Sequence, residues 1–147
     1  MSDWPTVLLV ENSDADVAAV SRALRRWSGN AHVHHVPDGE AALAHFHRIH
    51  RGEARAPELV LLDLKLGRTS GLEVLAELKG DSALRRLPVV VFTSSLAERD
   101  VFAAYDRGAN AVVSKPLELE QLYQTLGRLL DFWLLEASAP QRPGAQP

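Results

Sequence analysis

The chain switches repeatedly between short continuous apolar runs and stripes of apolar residues at helical spacing. The run "TVLLV" comes first, and Val17, Val20, Leu24 and Trp27 follow at i, i+3, i+7 and i+10. Continuous runs of this length read as strands covered on both faces, and the stripes as helices with one apolar side. Five strand–helix units are predicted, with strands over residues 6–10, 31–36, 59–63, 88–92 and 111–114. The second run, "AHVHHV", is more polar and suits an edge strand. Ser13 and Asp14 are placed to cap the first helix, which ends near Gly29. Asp38 caps the second, and Ser70 the third, with Leu72, Leu75 and Leu78 inward and Gly80 beyond it. A fourth helix spans about residues 98–107 before Gly108, and a fifth begins after Pro116.

This alternation, joined by right-handed crossovers, predicts an α/β fold with a doubly wound parallel sheet, in which ligands bind beyond the carboxyl ends of the strands. The residues at those ends are Glu11-Asn12, Asp63, Thr93-Ser94 and Lys115-Pro116. A lone acid after a strand is most often a turn or cap residue. Two carboxylates, a hydroxyl and an ammonium at matching ends point instead to a site. Carboxylates a few ångströms apart repel by roughly 4 kcal/mol at an effective dielectric near 20. A divalent cation relieves that repulsion, and Mg²⁺ takes one or two carboxylates while keeping several waters. Asp63 is then a candidate nucleophile toward phosphorus, with Lys115 and the Thr93 hydroxyl to stabilise the oxygens of the product.

Composition narrows the reading. At 147 residues, 46% hydrophobic and 24% charged, the chain suits one domain over residues 1–136, and residues 137–147 carry the Pro, Gly and Gln bias of a disordered tail. A net charge of −3 without a long basic run argues against nucleic acid. The absence of cysteine excludes disulfides, thiolate zinc sites and a cysteine nucleophile. Acid on both sides of the first apolar run argues against a signal peptide or membrane span, so a soluble cytoplasmic protein is expected. Six histidines, at 32, 34, 35, 45, 47 and 50, suggest a surface cluster rather than a metal site, since no third ligand or orienting acid is indicated. Gly67 and Gly71 belong to no phosphate-loop pattern.

The segments "LLVENSDAD", "LVLLDLKLGRTSGLEVL", "VVVFTSS" and "GANAVVSKPLEL" together resemble a response-regulator receiver domain of two-component signalling, over about residues 5–130. The resemblance implies a flavodoxin-like sheet of order 2-1-3-4-5 with helices on both faces. It implies phosphotransfer from a phosphohistidine of a sensor histidine kinase to Asp63, assisted by Thr93 and Lys115. It also implies Mg²⁺ held by Glu11, Asn12, Asp63 and the Lys65 backbone carbonyl, and a cis Lys115–Pro116 bond. Such a protein is a phosphoacceptor that catalyses its own phosphotransfer and dephosphorylation. The stretches "VENSDAD", "VPDGEAAL", "SLAERDV" and "DFWLL" resemble more narrowly the regulators that serve bacterial phytochromes, which would make the kinase a bacteriophytochrome. With no second domain in the chain, the output is expected to lie elsewhere.

Two residues depart from the family pattern. Asn12 stands where the family usually has an aspartate, and Val112 where a Tyr or Phe commonly swings inward; either Tyr105 or Phe102 reports the state instead, or signalling depends more on association than on an aromatic rotamer. These departures motivate an alternative, a phosphorylation-impaired interaction module. An aspartyl-phosphate phosphohydrolase is a remote alternative, because it wants an acid where Lys65 stands. The last helix is apolar over an arc of roughly 140°, and Phe132 and Leu135 lie outside even that, so a homodimer involving Phe132, Trp133 and Leu135 is expected. With one negative charge missing at position 12, Mg²⁺ should bind more loosely than to Asn12→Asp; titrating both proteins tests this, and equal affinities would remove the idea.

Overall fold

A computed structural model of the chain describes residues 3–94 and 97–137. In order, the elements are β1 (Thr6–Val10), α1 (Asp14–Arg26), β2 (His32–Val36), α2 (Gly39–His50), β3 (Leu59–Leu62) and α3 (Gly71–Gly80). They continue with β4 (Val89–Thr93), α4 (Glu98–Asp106), β5 (Ala111–Ser114), α5 (Leu119–Leu130) and a π-helical segment, Asp131–Glu136. All strands are parallel, in the order β2-β1-β3-β4-β5. The polar β2 is an edge strand, as its sequence predicts.

Strand alternation divides the core into two layers. Leu8 and Val10, Val60 and Leu62, and Val89 and Val91 pack with Phe46, Leu75 and Leu78 on the side of α2 and α3. Val7 and Leu9, Leu59 and Leu61, and Val90 and Phe92 face the other way, against Val20 and Leu24 of α1 and Leu122, Leu126 and Leu130 of α5. Double-sided burial explains why β1, β3 and β4 read as unbroken apolar runs.

Ser13, Asp38 and Ser70 each accept a backbone N–H at the start of their helices, as expected. The differences are at element ends. Asp63 lies one residue past β3, although its N–H still donates to the Val10 carbonyl. β4 runs one residue past its expected end and includes Thr93, and Gly80 closes α3 from within. No cis peptide bond occurs among the described residues, which corrects the expected cis Lys115–Pro116 bond; trans is the lower-energy isomer of an X–Pro bond by about 0.5–1 kcal/mol. The apolar stripe after α5 continues as i→i+5 backbone bonding, with the Ala137 N–H on the Phe132 carbonyl at 2.7 Å. Trp27, which caps α1, donates its indole N–H to Asp131 at 2.8 Å and so ties this segment to α1. Ser95 and residues 138–147 lie outside the described residues, and the expected tail with them.

Gly71 has a steric reason to be glycine. A Cβ there would collide with the Asp63 carbonyl oxygen and stand 2.6 Å from Leu64 Cα. Gly71→Ala is expected to lower the unfolding free energy by about 1–3 kcal/mol in urea titrations, because rigid backbone has to move. His45 is buried edge-on to His34, with ring centroids 4.5 Å apart. Burial, helped by the nearby His34 and Arg48, holds its pKa below the ordinary histidine value. The unfolded chain therefore takes up a proton near pH 6.5 that the folded one resists, so stability is flat above that pH and falls as pH drops below it. His45→Leu should flatten this decline in urea melts between pH 7.5 and 5.5.

Candidate functional site

The parallel register brings the carboxyl ends of β1, β3, β4 and β5 to one rim. There Glu11, Asp63, Thr93 and Lys115, the strand-end residues singled out in the sequence, are all buried. Lys115 Nζ donates to Glu11 Oε1 at 2.7 Å, Asp63 Oδ2 at 3.0 Å and Asp16 Oδ2 at 2.9 Å. The Thr93 hydroxyl donates to Asp63 Oδ1 at 2.9 Å, and the Lys65 N–H reaches the same oxygen at 3.2 Å. Glu11 turns its second oxygen, Oε2, to the N–H groups of Asn12 and Ser13, both at 3.1 Å. The His35 ring donates through Nε2 to the Glu11 carbonyl at 2.8 Å, which pins the end of β1 from the neighbouring strand.

Asp16 is the member that sequence reasoning missed. It lies in the first turn of α1 with its side chain 42% exposed, and the helix points it back over the rim. Among the described residues, Glu11, Asp16 and Asp63 form a group whose carboxylate oxygens come within 4.8 Å of one another, and no histidine joins it. Asn12 and Lys65 are exposed, and Asn12 enters this network through its backbone N–H.

The electrostatics separate the two buried acids. At Asp63, burial opposes the charged form, but the Lys115 ammonium, the Thr93 hydroxyl and the Lys65 N–H outweigh it and hold the carboxyl below the ordinary aspartate range. At Glu11 burial prevails over the hydrogen bond from Lys115, and the charge on Asp63 adds to it, so that carboxyl is pushed up. Burial also works against the charge on Lys115, yet its hydrogen bonds to Glu11 and Asp16 and the field of Asp63 keep it more firmly protonated than an ordinary lysine. Asp63 is thus an ionised, buried carboxylate with a cation and a hydroxyl in place around it. An oxygen-rich, anionic donor set of this kind fits a hard divalent cation such as Mg²⁺ or Mn²⁺.

The response regulator receiver domain model matches residues 7–127. The chain belongs to this family. Among curated relatives, this receiver is similar to the response regulator Rcp1 of Synechocystis sp., with 37% identity over 91% of this chain and 92% of the relative. It is also similar to the probable methanogenesis regulatory protein FilR2 of Methanothrix harundinacea, with 38% identity over 87% of this chain and 83% of the relative. Among solved structures, the phosphorylated cyanobacterial phytochrome response regulator RcpA superposes with a TM-score of 0.88 at 37% identity, covering 94% of this chain and 99% of that one. The Mn²⁺-bound form of response regulator Rcp1 gives 0.84 at 36% identity, covering 93% and 99%. The observed strand order and two-faced helix packing are those of the flavodoxin-like receiver fold.

Three carboxylates converge on one ammonium, so removing the ammonium leaves buried charge uncompensated. Lys115→Met is expected to destabilise the receiver by about 3–5 kcal/mol at pH 7, read from denaturant unfolding. The deficit should shrink toward pH 4, because carboxyls whose pKa has been raised in the folded variant then protonate before those of the unfolded chain.

Proposed function

We propose that this response regulator accepts a phosphoryl group on Asp63 from the phosphohistidine of a sensor histidine kinase, and that it catalyses both this transfer and its own dephosphorylation. The observation that carries the reading is the Asp63 carboxylate, ionised in a buried rim with Lys115 on one oxygen and Thr93 on the other. In the transfer, an Asp63 oxygen forms the new bond to phosphorus while the bond from phosphorus to the donor imidazole nitrogen breaks, and the electron pair leaves with that nitrogen. The Lys115 ammonium, the Thr93 hydroxyl and the Lys65 N–H, already gathered on Asp63, are the donors at hand for the added negative oxygens. When bound, Mg²⁺ supplies charge neutralisation at the phosphoryl oxygens. Glu11, Asp16 and Asp63, whose carboxylate oxygens lie together, would hold it, with the Lys65 backbone carbonyl and Asn12 as the further oxygens that the family pattern implies.

Resemblance to RcpA and Rcp1 supports a phytochrome-type kinase as the donor, and with it a cytoplasmic location; no helix among the described residues is long and apolar enough to cross a membrane. A homodimer is supported by the π-helical segment, where Phe132 and Leu135 are 53% and 62% exposed. Trp133, also expected at that contact, instead packs on the α1–α5 core layer. Phe132→Ala with Leu135→Ala is therefore the clean test: sedimentation should shift toward monomer, and an unchanged dimer would contradict the contact.

Val112 has no aromatic ring to swing, but its N–H is bonded by the Tyr105 hydroxyl at 3.1 Å, which puts an α4 aromatic against β5 at that position. Phe102, the other candidate, is exposed. Beryllofluoride with Mg²⁺ distinguishes an active phosphoacceptor from an interaction module. Binding seen by NMR or fluorescence and lost in Asp63→Asn supports phosphorylation at this residue; no binding by the folded wild type favours the module.

A further inference from the structure

The Glu11 carbonyl stands where the ladder between β1 and β2 runs out. The Glu11 N–H still donates to the Val36 carbonyl at 3.2 Å. In a parallel ladder the next rung would come to the Glu11 carbonyl from the N–H of residue 38. β2 ends at Val36, however, and Asp38 already caps α2, so the chain turns off the sheet before that rung. Glu11 is buried, and a buried carbonyl needs a donor. It finds one in a side chain. His35 lies opposite Leu9 in the register, and its ring reaches forward past Val10 to place Nε2 2.8 Å from the Glu11 carbonyl oxygen. A carbonyl only accepts, so Nε2 carries the proton.

This bond reaches the rim through one peptide unit. The Glu11–Asn12 peptide is planar, so its C=O and N–H turn together. His35 holds the C=O, and the Asn12 N–H donates to Glu11 Oε2 at 3.1 Å. The Ser13 N–H meets the same oxygen, which leaves Oε1 to Lys115. The direction of the Glu11 carboxylate is therefore set by the plane of the peptide that follows it, and that plane is held from β2.

We propose that His35 is a positioning residue for the phosphoacceptor site: by holding the Glu11–Asn12 peptide plane from the edge strand, its imidazole fixes how the Glu11 carboxylate is presented to Lys115 and to a divalent cation at the rim. That role rests on the phosphoacceptor reading of the rim. It gives the polar edge strand a task beyond closing the sheet. A carboxylate that loses the hydrogen bonds orienting it binds a metal more weakly, typically by about tenfold or more.

The test is Mn²⁺ binding, read from the electron paramagnetic resonance signal of free Mn²⁺, for the wild type and variants at position 35, each checked for folding by urea melts. His35→Gln carries an amide N–H about as far from the backbone as Nε2 and should bind Mn²⁺ within about threefold of the wild type. His35→Asn carries the same amide one methylene short, and His35→Leu carries no donor; both should bind about tenfold more weakly. Either substitution lowers stability by leaving a carbonyl unpaired, whatever the role of His35, so affinity and not melting decides. Should His35→Leu fail to fold, the contrast between His35→Asn and His35→Gln carries the comparison. Wild-type affinity in a folded His35→Leu, or in His35→Asn, overturns the role and leaves the ring as a cap on a spare carbonyl. Equally weak binding by His35→Gln and His35→Asn overturns it as well, since the donor was then not what mattered. A wild type that binds no Mn²⁺ removes the cation-site reading and this role with it, whereas a failure confined to position 35 leaves that reading intact.

Discussion

One ammonium, shared among three carboxylates, organises the acidic rim. Lys115 follows β5 at the sheet edge, while Glu11 and Asp63 follow β1 and β3, with β4 between β5 and β3. Neighbouring strands are about 4.8 Å apart, so only a long side chain can cross to both acids. Its charge is tolerated in a buried position because every oxygen it meets is anionic, and the acids are tolerated because it is there. Breaking one side of such an arrangement is far costlier than never having built it. Asp63 thereby remains ionised inside the protein, the state in which a carboxylate can attack phosphorus.

The sheet serves this arrangement through register. Parallel pairing of Val10 with Leu62, and of Leu62 with Val91, aligns the ends of β1, β3 and β4, so residues far apart in the chain meet without any insertion or special loop. Two apolar layers fix the strands from both sides, and Gly71 lets α3 start directly against the backbone of Asp63 and Leu64. The site is held by a layer that side-chain packing defines on both faces, which is why its geometry does not depend on a flexible loop for Asp63, Thr93 or Lys115.

The strands, the three helix caps and the residues Glu11, Asp63, Thr93 and Lys115 were legible because each follows from a local rule: period two, a capping side chain, or a polar residue at the end of an apolar run. Asp16 was not. Ser13 and Asp16 have the spacing of a capping box, so an acid there already has an ordinary explanation, and nothing in a one-dimensional pattern tells which way the first turn of α1 faces. The π-helical segment was equally hidden, because i→i+5 bonding has no residue signature and the apolar stripe of α5 runs on through it. The Trp27–Asp131 hydrogen bond joins residues 104 positions apart and depends on how α1 and α5 dock, which periodicity does not encode.

That bond gives α1 a second attachment. The helix has 13 residues and is therefore a rod of about 20 Å, with Asp16 near one end and Trp27 capping the other. A rod of this length is stiff, so a tilt at its acidic end is carried to its aromatic end rather than absorbed between them. The acidic rim and the apolar π-helical segment are bolted to opposite ends of a single strut.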